Sequence, residues 1–390
     1  MKKILFWCQT ELRNTGGPSG YCYNIYQFLK NNPNPNITFL FDLLKGDSSC
    51  ISSTKIQRTG IFDDLKKIIN YCWRIYHYPK YTIPNYIIDE YDIIHFHTIF
   101  ELLKFKNCYP CYKGKTILTT HCPSTWTDEV LLRENNKLRF CRNIILNYEN
   151  KAYETADYIH FPCKEAREPY EKEPKIKKVF AENETKFIYL PSAIFDQDLT
   201  DSNIQKYSHF NIPANAFVVT YFGRHNSVKG YDILKKVGQR LLERHQNLYF
   251  LCAGKGDIQP LEHDRWLELG FINNTQELLW QSDLYILPNR DTYFDLITLE
   301  VMRSKTPIIL SNTGGNKYFR NVITSDFEGI QYFDIGDVDN LIEKVETMIS
   351  FKAAAPSLYK ELGDKNRNIF KEYFTIEKFM SAYTAMIAQL

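Results

Sequence analysis

Short apolar runs alternate with longer stretches of helical periodicity along most of the chain. Segments 3–8, 91–96, 115–120 and 248–253 each contain consecutive apolar residues and are bounded by polar or glycine-containing segments. Continuous apolar runs of about four to eight residues are typical of strands that are buried on both faces, as in parallel sheets. The alternation of such strands with helical patterns predicts an α/β fold built from βαβ units.

The stretch 284–319 shows this alternation most completely. An apolar strand pattern ends at Pro288, a polar loop follows, and Asp295 can cap a helix that continues through Glu300. The next strand is predicted over 306–310, before a glycine turn. Ligands of parallel α/β sheets bind at the carboxyl ends of the strands. Glu300, one turn into the helix, is therefore expected to lie on the side of the ligand.

The pattern also predicts the remaining parts of two domains. Segment 37–43 is expected to be the second strand, 152–161 to pass from a helix into the strand that closes the first sheet, and 187–192 to begin the linker. The length of 390 residues suits two domains, each able to bury its own core. We predict these domains over 1–193 and 194–374.

Two loops after predicted strands of the second domain combine glycine with positive charge. The strand at 217–222 is followed by Gly223 and Arg224 and then by Lys229, before a predicted helix, and Gly254 follows the next strand. A departing diphosphate carries concentrated negative charge, which two facing cations stabilise as the bond breaks. The spacing of Arg224 and Lys229 favours a diphosphate-binding site over an ordinary solvated loop.

The first domain offers weaker signals. Gly17 stands at the start of a predicted helix, where small residues let backbone N–H groups approach an anion, although a plain tight turn fits equally well. His97 and His121 each follow a predicted strand. A lone histidine is usually structural, so position alone assigns neither of them a role.

Residues 292–300, TYFDLITLE, resemble the nucleotide-sugar signature of retaining glycosyltransferases of family 4, whose pattern is close to EGFGLVLLEAMA. The second glutamate of that pattern matches Glu300, and the first falls on Thr292, with Asp291 beside it. The Gly-Arg and Lys residues of the loop described above, and the glycine loop at Gly254, resemble the same family. The resemblance extends over essentially the whole chain and is most specific in the second domain.

The resemblance implies the GT-B fold, in which two Rossmann-like domains face each other across a cleft. The N-terminal domain would bind the acceptor, the C-terminal domain would bind the nucleotide sugar, and a final helix over 375–390 would cross back to the first domain. The donor-binding residues that it implies are Gly17, Gly223, Gly254, Phe271, Ile272, Asp291, Thr292, Asp295, Leu296, Ile297 and Glu300. The catalytic residues that it implies are His121, which would contact the transferring sugar, and the cations Arg224 and Lys229.

The resemblance further implies a retaining, metal-independent enzyme that uses a nucleoside-diphosphate sugar, with UDP as the expected nucleotide, and needs no other cofactor. The acceptor would be a glycan or a lipid-linked sugar of bacterial surface polysaccharide synthesis. Two alternatives remain open. One is a nucleotide-sugar 2-epimerase on the same fold, and the other is a non-catalytic GT-B partner subunit, which Thr292 in place of glutamate would suit.

Charge is close to balanced overall. The formal net charge of +2 predicts no nucleic-acid partner. Residues 1–195 carry 27 Lys and Arg against 21 Asp and Glu, an excess of +6, and the remainder carries 21 against 25, or −4. Within the basic half, 65–76 combines an apolar, aromatic face with lysine and arginine, so it is expected either to lie against an anionic membrane or to face the core. With no predicted export signal or membrane span, we expect a cytoplasmic protein, with a position at the inner membrane face left open.

Metal-binding patterns are weak. Asp196 and Asp198 match a three-residue metal motif but fall in the predicted linker, and Cys108 and Cys111 have zinc-ligand spacing without a second pair. The ten cysteines are scattered, and in a cytoplasmic chain they are expected to be reduced. The sequence therefore predicts no metal site.

Overall fold

The computed structural model describes most of the chain, namely residues 2–8, 12, 17–46, 83–133, 139–197, 210–272, 275–322 and 329–390. The chain divides into two compact units. The first consists of Met1–Pro162, Pro169–Leu190 and Met380–Leu390, and the second consists of Cys163–Glu168 and Pro191–Phe379. The basic amphipathic segment 65–76 lies outside the described residues.

The first unit contains a parallel sheet that has six strands in the described part of the chain. They are β1 (Ile4–Trp7), β2 (Ile37–Phe39), β3 (Ile93–Phe96), β4 (Lys115–Leu118), β5 (Tyr158–Phe161) and β6 (Phe187–Tyr189). They lie in the order β2-β1-β3-β4-β5-β6, with every pairing parallel. This order reverses between β1 and β3, the switch point at which flavodoxin-like sheets bind their ligands.

Helices alternate with these strands along the chain. They are α1 (Gly17–Asn31), α2 (Leu40–Gly46), α3 (Asn85–Ile88), α4 (Ile99–Cys108), α5 (Trp126–Arg133), α6 (Arg142–Thr155) and α7 (Pro174–Glu182). The last residues of the chain also belong to this unit. There the Tyr383 hydroxyl lies 3.0 Å from His95 Nδ1, so a buried hydrogen bond ties the chain terminus to the sheet.

Two predictions about the first unit were wrong. The expected strand 37–43 ends at Phe39, and α2 begins at Leu40, which is fully buried. A short apolar run fits either periodicity, and here helix packing decides. Segment 187–192 begins with β6 instead of the linker, because Phe187 pairs with Ile159 of β5. The sheet is therefore closed by β6 and not by β5.

The second unit contains a second parallel sheet. Its described strands are β7 (Phe217–Phe222), β8 (Leu248–Ala253), β9 (Trp266–Glu268), β10 (Leu284–Leu287), β11 (Ile308–Ser311) and β12 (Ile330–Phe333). They lie in the order β12-β11-β10-β7-β8-β9, again with parallel pairings. Counted within the unit, this is the 3-2-1-4-5-6 order of dinucleotide-binding Rossmann sheets. The prediction of two Rossmann-like α/β domains is confirmed.

The helices of the second part of the chain follow the same alternation. They are α8 (Tyr231–Arg244), α9 (Gln276–Gln281), α10 (Leu296–Arg303), α11 (Tyr318–Val322), α12 (Val338–Ala354), α13 (Pro356–Tyr373) and α14 (Ile376–Gln389). Every residue of β7, β10 and β11 is buried, as expected for a parallel sheet that is covered on both faces. None of the helices in the described ranges has the length and hydropathy needed to cross a membrane.

Candidate functional site

The strand order of the second unit determines where its loops meet. Strand β7 lies between β8 and β10. The loops that leave the carboxyl ends of these parallel strands, 223–230, 254–257 and 288–295, therefore emerge side by side at the switch point of the sheet. These loops contain five of the eleven residues that were predicted to bind a donor, together with Arg224 and Lys229.

Gly223 and Gly254 bring the first two loops into backbone contact. The Gly223 N–H donates to the Ala253 carbonyl at 2.9 Å, and the Gly254 N–H donates to the Gly270 carbonyl at 2.8 Å. Gly254 has a φ of +143°, and a Cβ built on it would lie 1.8 Å from the Gly223 carbonyl oxygen. A side chain at position 254 would therefore push the two loops apart.

Lys229 and Asp295 join the loops after β7 and β10. The Lys229 ammonium donates to both carboxylate oxygens of Asp295, at 2.7 and 2.8 Å. Asn289 and Thr292 donate to the same carboxylate. Burial by itself raises the pKa of Asp295, but the charge of Lys229 and these hydrogen bonds outweigh burial and lower it. Asp295 is therefore held as a carboxylate, already paired with Lys229.

This use of Asp295 corrects the predicted helix cap. The residue stands at the N-cap position of α10, but its side chain accepts no hydrogen bond from the first turn of the helix. Because the carboxylate turns to Lys229, the N–H groups of Leu296 and Ile297 are left without this acceptor. An anion bound at the start of α10 can accept from them instead.

Arg224 differs from Lys229 in its exposure. Its side chain is exposed, and within the described part of the chain its guanidinium has no ion-pair partner. The backbone around it is fixed, because the buried Tyr221 hydroxyl donates to the Arg224 carbonyl at 2.8 Å and also reaches the Lys229 carbonyl at 3.5 Å. The loop thus presents one available cation and one paired cation at the same strand end.

Glu300 lies on α10, where its carboxylate accepts a hydrogen bond from the Thr275 hydroxyl at 2.7 Å. Burial raises the pKa of Glu300, against the opposing effects of this hydrogen bond and of the charge of Arg303. A carboxylate that accepts from a hydroxyl group is chemically suited to the hydroxyls of a ribose. Sequence patterns gave no indication of Thr275.

The other predicted donor residues differ in burial. Phe271 is 65% exposed, so its ring face is available for stacking, and Ile272 beside it is half-buried. Asp291 is half-buried. Thr292 is fully buried, and its hydroxyl donates to Asp295 at 3.1 Å, so this side chain supports the loop from within.

Two predicted residues lie in the first unit. Helix α1 begins at Gly17. His121 has a φ of +57°, which is uncommon outside glycine, and its Nε2 lies 3.0 Å from His97 Nδ1. Burial, together with His97 and His160, lowers the pKa of His121 well below its ordinary value. The neutral ring can exchange hydrogen bonds with a hydroxyl group.

The structure brings together two groups of predicted residues, which are Gly223 with Gly254, and Lys229 with Thr292 and Asp295. It also reveals polar residues that sequence patterns did not indicate, namely Asn289, Thr275, Cys8 and Cys22. Cys8 and Asn289 follow strands directly or nearly so. Their positions after apolar strand patterns are the sequence signal for these two residues.

The two weak metal-binding patterns of the sequence do not form a cluster of metal ligands in the part of the chain that the structure describes. Asp196 is ion-paired with Arg367, and Asp198 lies outside the described residues. Cys108 and Cys111 are free thiols, and no third ligand gathers with them in the described ranges.

Residues 216–350 match the family described as glycosyl transferases group 1. The match contains every described strand of the second sheet and the loops 223–230, 254–257 and 288–295. This part of the chain is similar to the group 1 glycosyltransferases. The family thus coincides with the part of the molecule in which the cations, the glycine contacts and Glu300 are found.

Two curated glycosyltransferases of Escherichia coli show the extent of this relationship. The O-antigen biosynthesis glycosyltransferase WclY is 25% identical over 214 residues, or 50% of this chain and 56% of that protein. The UDP-Gal:alpha-D-GlcNAc-diphosphoundecaprenol alpha-1,3-galactosyltransferase is 24% identical over 185 residues, or 44% of this chain and 46% of that protein. The matches span 31% and 56% of the lengths of the first curated relatives.

Solved structures agree on the fold. The Anabaena protein HepE in complex with UDP-glucose aligns over 100% of both chains, with a TM-score of 0.64 and 15% sequence identity. At this identity the likeness concerns architecture alone, and it identifies the two Rossmann-like domains as the GT-B fold, as the sequence predicted.

Proposed function

We propose that this protein transfers a sugar from a nucleoside-diphosphate sugar to an acceptor, with UDP as the expected nucleotide. The observation that carries the proposal is the contact of Lys229 with Asp295 at the start of α10, because the loop after β7 that contains Lys229 also contains Arg224. Two cations and a helix N-terminus at one strand edge match the charge of a diphosphate. HepE, which has the same fold, was solved with UDP-glucose bound.

In the proposed reaction, the diphosphate lies between Arg224, Lys229 and the first N–H groups of α10. These groups stabilise the negative charge that develops as the sugar departs. Glu300 accepts from the ribose hydroxyls, and Phe271 offers its exposed ring to the base. His121 is proposed to exchange hydrogen bonds with a hydroxyl group of the transferred sugar.

We propose further that the reaction retains configuration at the transferred carbon and needs no added divalent metal. In this proposal Arg224, Lys229 and the start of α10 provide the positive charge that a metal otherwise supplies. Activity is therefore expected to persist when Mg²⁺ and Mn²⁺ are left out of the assay. Dependence on either ion would contradict this part of the proposal and would make Asp196 and Asp198 candidate metal ligands.

A non-catalytic role is the main rival, because two observations favour it. Thr292 stands where the family pattern has glutamate, and Lys229 is neutralised by Asp295. The two functions differ in turnover. A catalytic protein releases nucleoside diphosphate from its own donor, slowly with water and faster with acceptor, whereas a scaffold releases none.

The decisive experiment is a panel of nucleotide sugars, tested first by thermal stabilisation and then by release of nucleoside diphosphate. Ligand binding to the folded state raises the apparent stability by mass action. We expect stabilisation by at least one UDP-sugar in the wild type, and its loss in Arg224→Ala. If no nucleotide sugar stabilises the protein, the proposed function is wrong.

We propose a glycan or a lipid-linked sugar of surface polysaccharide synthesis as the acceptor, on the cytoplasmic side of the membrane. The names of the two Escherichia coli relatives, which concern O-antigen synthesis and a diphosphoundecaprenol acceptor, support this class. The basic, aromatic composition of 65–76 supports a peripheral position at anionic lipid. Sedimentation with anionic but not neutral vesicles, weakened by salt, would be the expected result, and no sedimentation at low salt would contradict it.

A further inference from the structure

Three buried ligand-type side chains meet at the switch point of the first sheet. Cys8 directly follows β1, and His97 directly follows β3. These strands pair in parallel with Trp7 opposite Phe96, so the residues that come next are neighbours. Cys22 projects from α1, and its Sγ lies 3.4 Å from that of Cys8. One donor atom from each of the three residues lies within 4.8 Å of the others.

The histidine of this cluster has one ring nitrogen in use and one unused. His97 is 7% exposed, and its Nδ1 lies 3.0 Å from His121 Nε2. Its Nε2 is buried and has no hydrogen-bond partner in the described part of the chain. A buried, unpaired ring nitrogen is costly, because it has lost its water without gaining a partner. An Nδ1–H that donates to His121 leaves a lone pair on Nε2, which is the form that binds metal.

We propose that Cys8, Cys22 and His97 form a binding site for a thiophilic metal ion, with Zn²⁺ as the expected ion. Two sulfurs held about 2.3 Å from zinc in a tetrahedron lie about 3.8 Å apart. The observed separation of 3.4 Å, and the 4.8 Å limit for the whole cluster, require shifts of only about 1 Å for closure. Thiolate and imidazole ligands select Zn²⁺ and Cu⁺ over Mg²⁺ and Ca²⁺.

The three ligands differ from the residues proposed to bind the donor, and His121 is the residue that the two proposals share. A metal bound there would link the ends of β1 and β3 to α1. Since the ligands are distant in sequence, part of the binding free energy becomes stability of the first domain. His121 would act as a positioning residue, which orients the His97 ring through the contact with Nδ1.

The test uses the full-length protein, prepared under reducing conditions and stripped by a chelator. Zn²⁺ is titrated in competition with a chromophoric chelator, and Cu⁺ in a separate anaerobic titration distinguishes the two ions. Co²⁺ is then used as a spectroscopic substitute in the wild type. We expect one Zn²⁺ per chain and a thiolate-to-cobalt charge-transfer band, a readout that needs no variant and therefore does not depend on whether a variant folds.

Three ligand variants and two comparisons complete the design. Cys8→Ala, Cys22→Ala and His97→Gln should abolish the charge-transfer band or weaken Zn²⁺ binding by more than about 100-fold. His121→Gln should weaken it by about 10–100-fold, as for the loss of an outer-shell partner. Cys141→Ala is the matched control, because Cys141 is 3% exposed and Cys22 is 2% exposed. This control should bind like the wild type.

Three results would overturn the proposal. The first is an absence of stoichiometric Zn²⁺ or Cu⁺ binding by the reduced wild type. The second is binding that survives in both cysteine variants, which would place the ion elsewhere. The third is a Cys8–Cys22 disulfide, found by mass spectrometry in protein purified without reductant and without bound metal, which would make the cluster a redox pair.

Discussion

The ion pair between Lys229 and Asp295 leads to the most informative prediction. The Lys229 ammonium lies 2.7 Å from Asp295 Oδ1, so the cation proposed to meet a diphosphate is already neutralised. Replacing Asp295 by asparagine keeps the size of the side chain and removes its charge. We expect Asp295→Asn to lower the stability of the protein and at the same time to tighten the binding of UDP.

The burial of the pair sets the size of the stability effect. Breaking a fully buried ion pair costs about 3–5 kcal/mol, whereas exposed pairs contribute about 0–1 kcal/mol. The Lys229 and Asp295 side chains are 14% and 22% exposed, which places this pair between the two cases. The asparagine can still accept a hydrogen bond from Thr292. We therefore expect the free energy of unfolding to fall by about 2 kcal/mol.

The effect on UDP has the opposite sign. Removing the carboxylate frees the Lys229 ammonium, and it also removes a negative charge beside the diphosphate. Both changes favour the ligand, so we expect the dissociation constant of UDP to fall about tenfold, or ~1.4 kcal/mol. Denaturant titration measures the first effect, and isothermal calorimetry measures the second. Asp364→Asn, which breaks the more exposed pair with Lys305 at 2.9 Å, is the matched control and should change neither by more than about 1 kcal/mol.

The pH dependence gives a separate check. The pKa of Asp295 is lower in the folded protein than its ordinary value, so its contribution to stability is fully present above that ordinary value. The contribution is lost as the pH falls through the lowered pKa. The stability difference between wild type and Asp295→Asn should therefore shrink in acid. A destabilised variant with unchanged UDP affinity would refute the reasoning, because Lys229 would then serve the fold alone.

Three further outcomes are expected. Arg224→Ala and Lys229→Ala should each lower turnover by about 10²-fold, because each removes charge stabilisation from the transition state; normal turnover with an intact fold in both would contradict the diphosphate site. Glu300→Gln should weaken UDP binding by about 1–3 kcal/mol. In calorimetry, the affinity of the wild type for UDP should decrease as the pH is lowered through the raised pKa of Glu300, whereas the affinity of the variant should show no such step. Gly254→Ala should strongly destabilise the protein in denaturant titrations, because its Cβ would lie 1.8 Å from a carbonyl oxygen, whereas Gly336→Ala, also at positive φ but with nothing within 4 Å, should cost only about 1 kcal/mol.

The fold was predictable because parallel sheets leave a strong pattern. The buried strands of the second sheet, such as 217–222 and 248–253, were identified with their observed bounds, since a run with both faces covered is continuously apolar. Edge elements were less predictable. At 37–43 the apolar residues fit a strand and a helix equally, and only packing shows that the strand ends at Phe39.

The sequence predicted which residues of the candidate site lie in loops at strand ends. It did not predict which of these residues contact one another. The positions of Lys229 and Asp295 after β7 and β10 follow from the pattern, but their ion pair depends on the order of the strands in the sheet. The same holds for Cys8 and His97, which are 89 positions apart and become neighbours because β1 pairs with β3. Parallel strand order is decided by long-range packing, which one sequence does not disclose.

The departure at Thr292 can be examined in the same physical terms. The family pattern has glutamate at this position and glycine three residues later, where this chain has Asp295. Thr292 is fully buried beside the Asp295 carboxylate, so a glutamate there would place a second negative charge next to a site with one cation, Lys229. We expect Thr292→Glu to lower the free energy of unfolding by about 3 kcal/mol. Thr292→Gln introduces a side chain of the same size as glutamate but without its charge, so it should lower the free energy of unfolding by less. In an Asp295→Gly background Lys229 becomes available to the introduced glutamate, so the excess cost of Glu over Gln should fall by about 1–3 kcal/mol. Denaturant titration of the cycle measures this coupling, and simple additivity would mean that the two carboxylate positions do not substitute for one another.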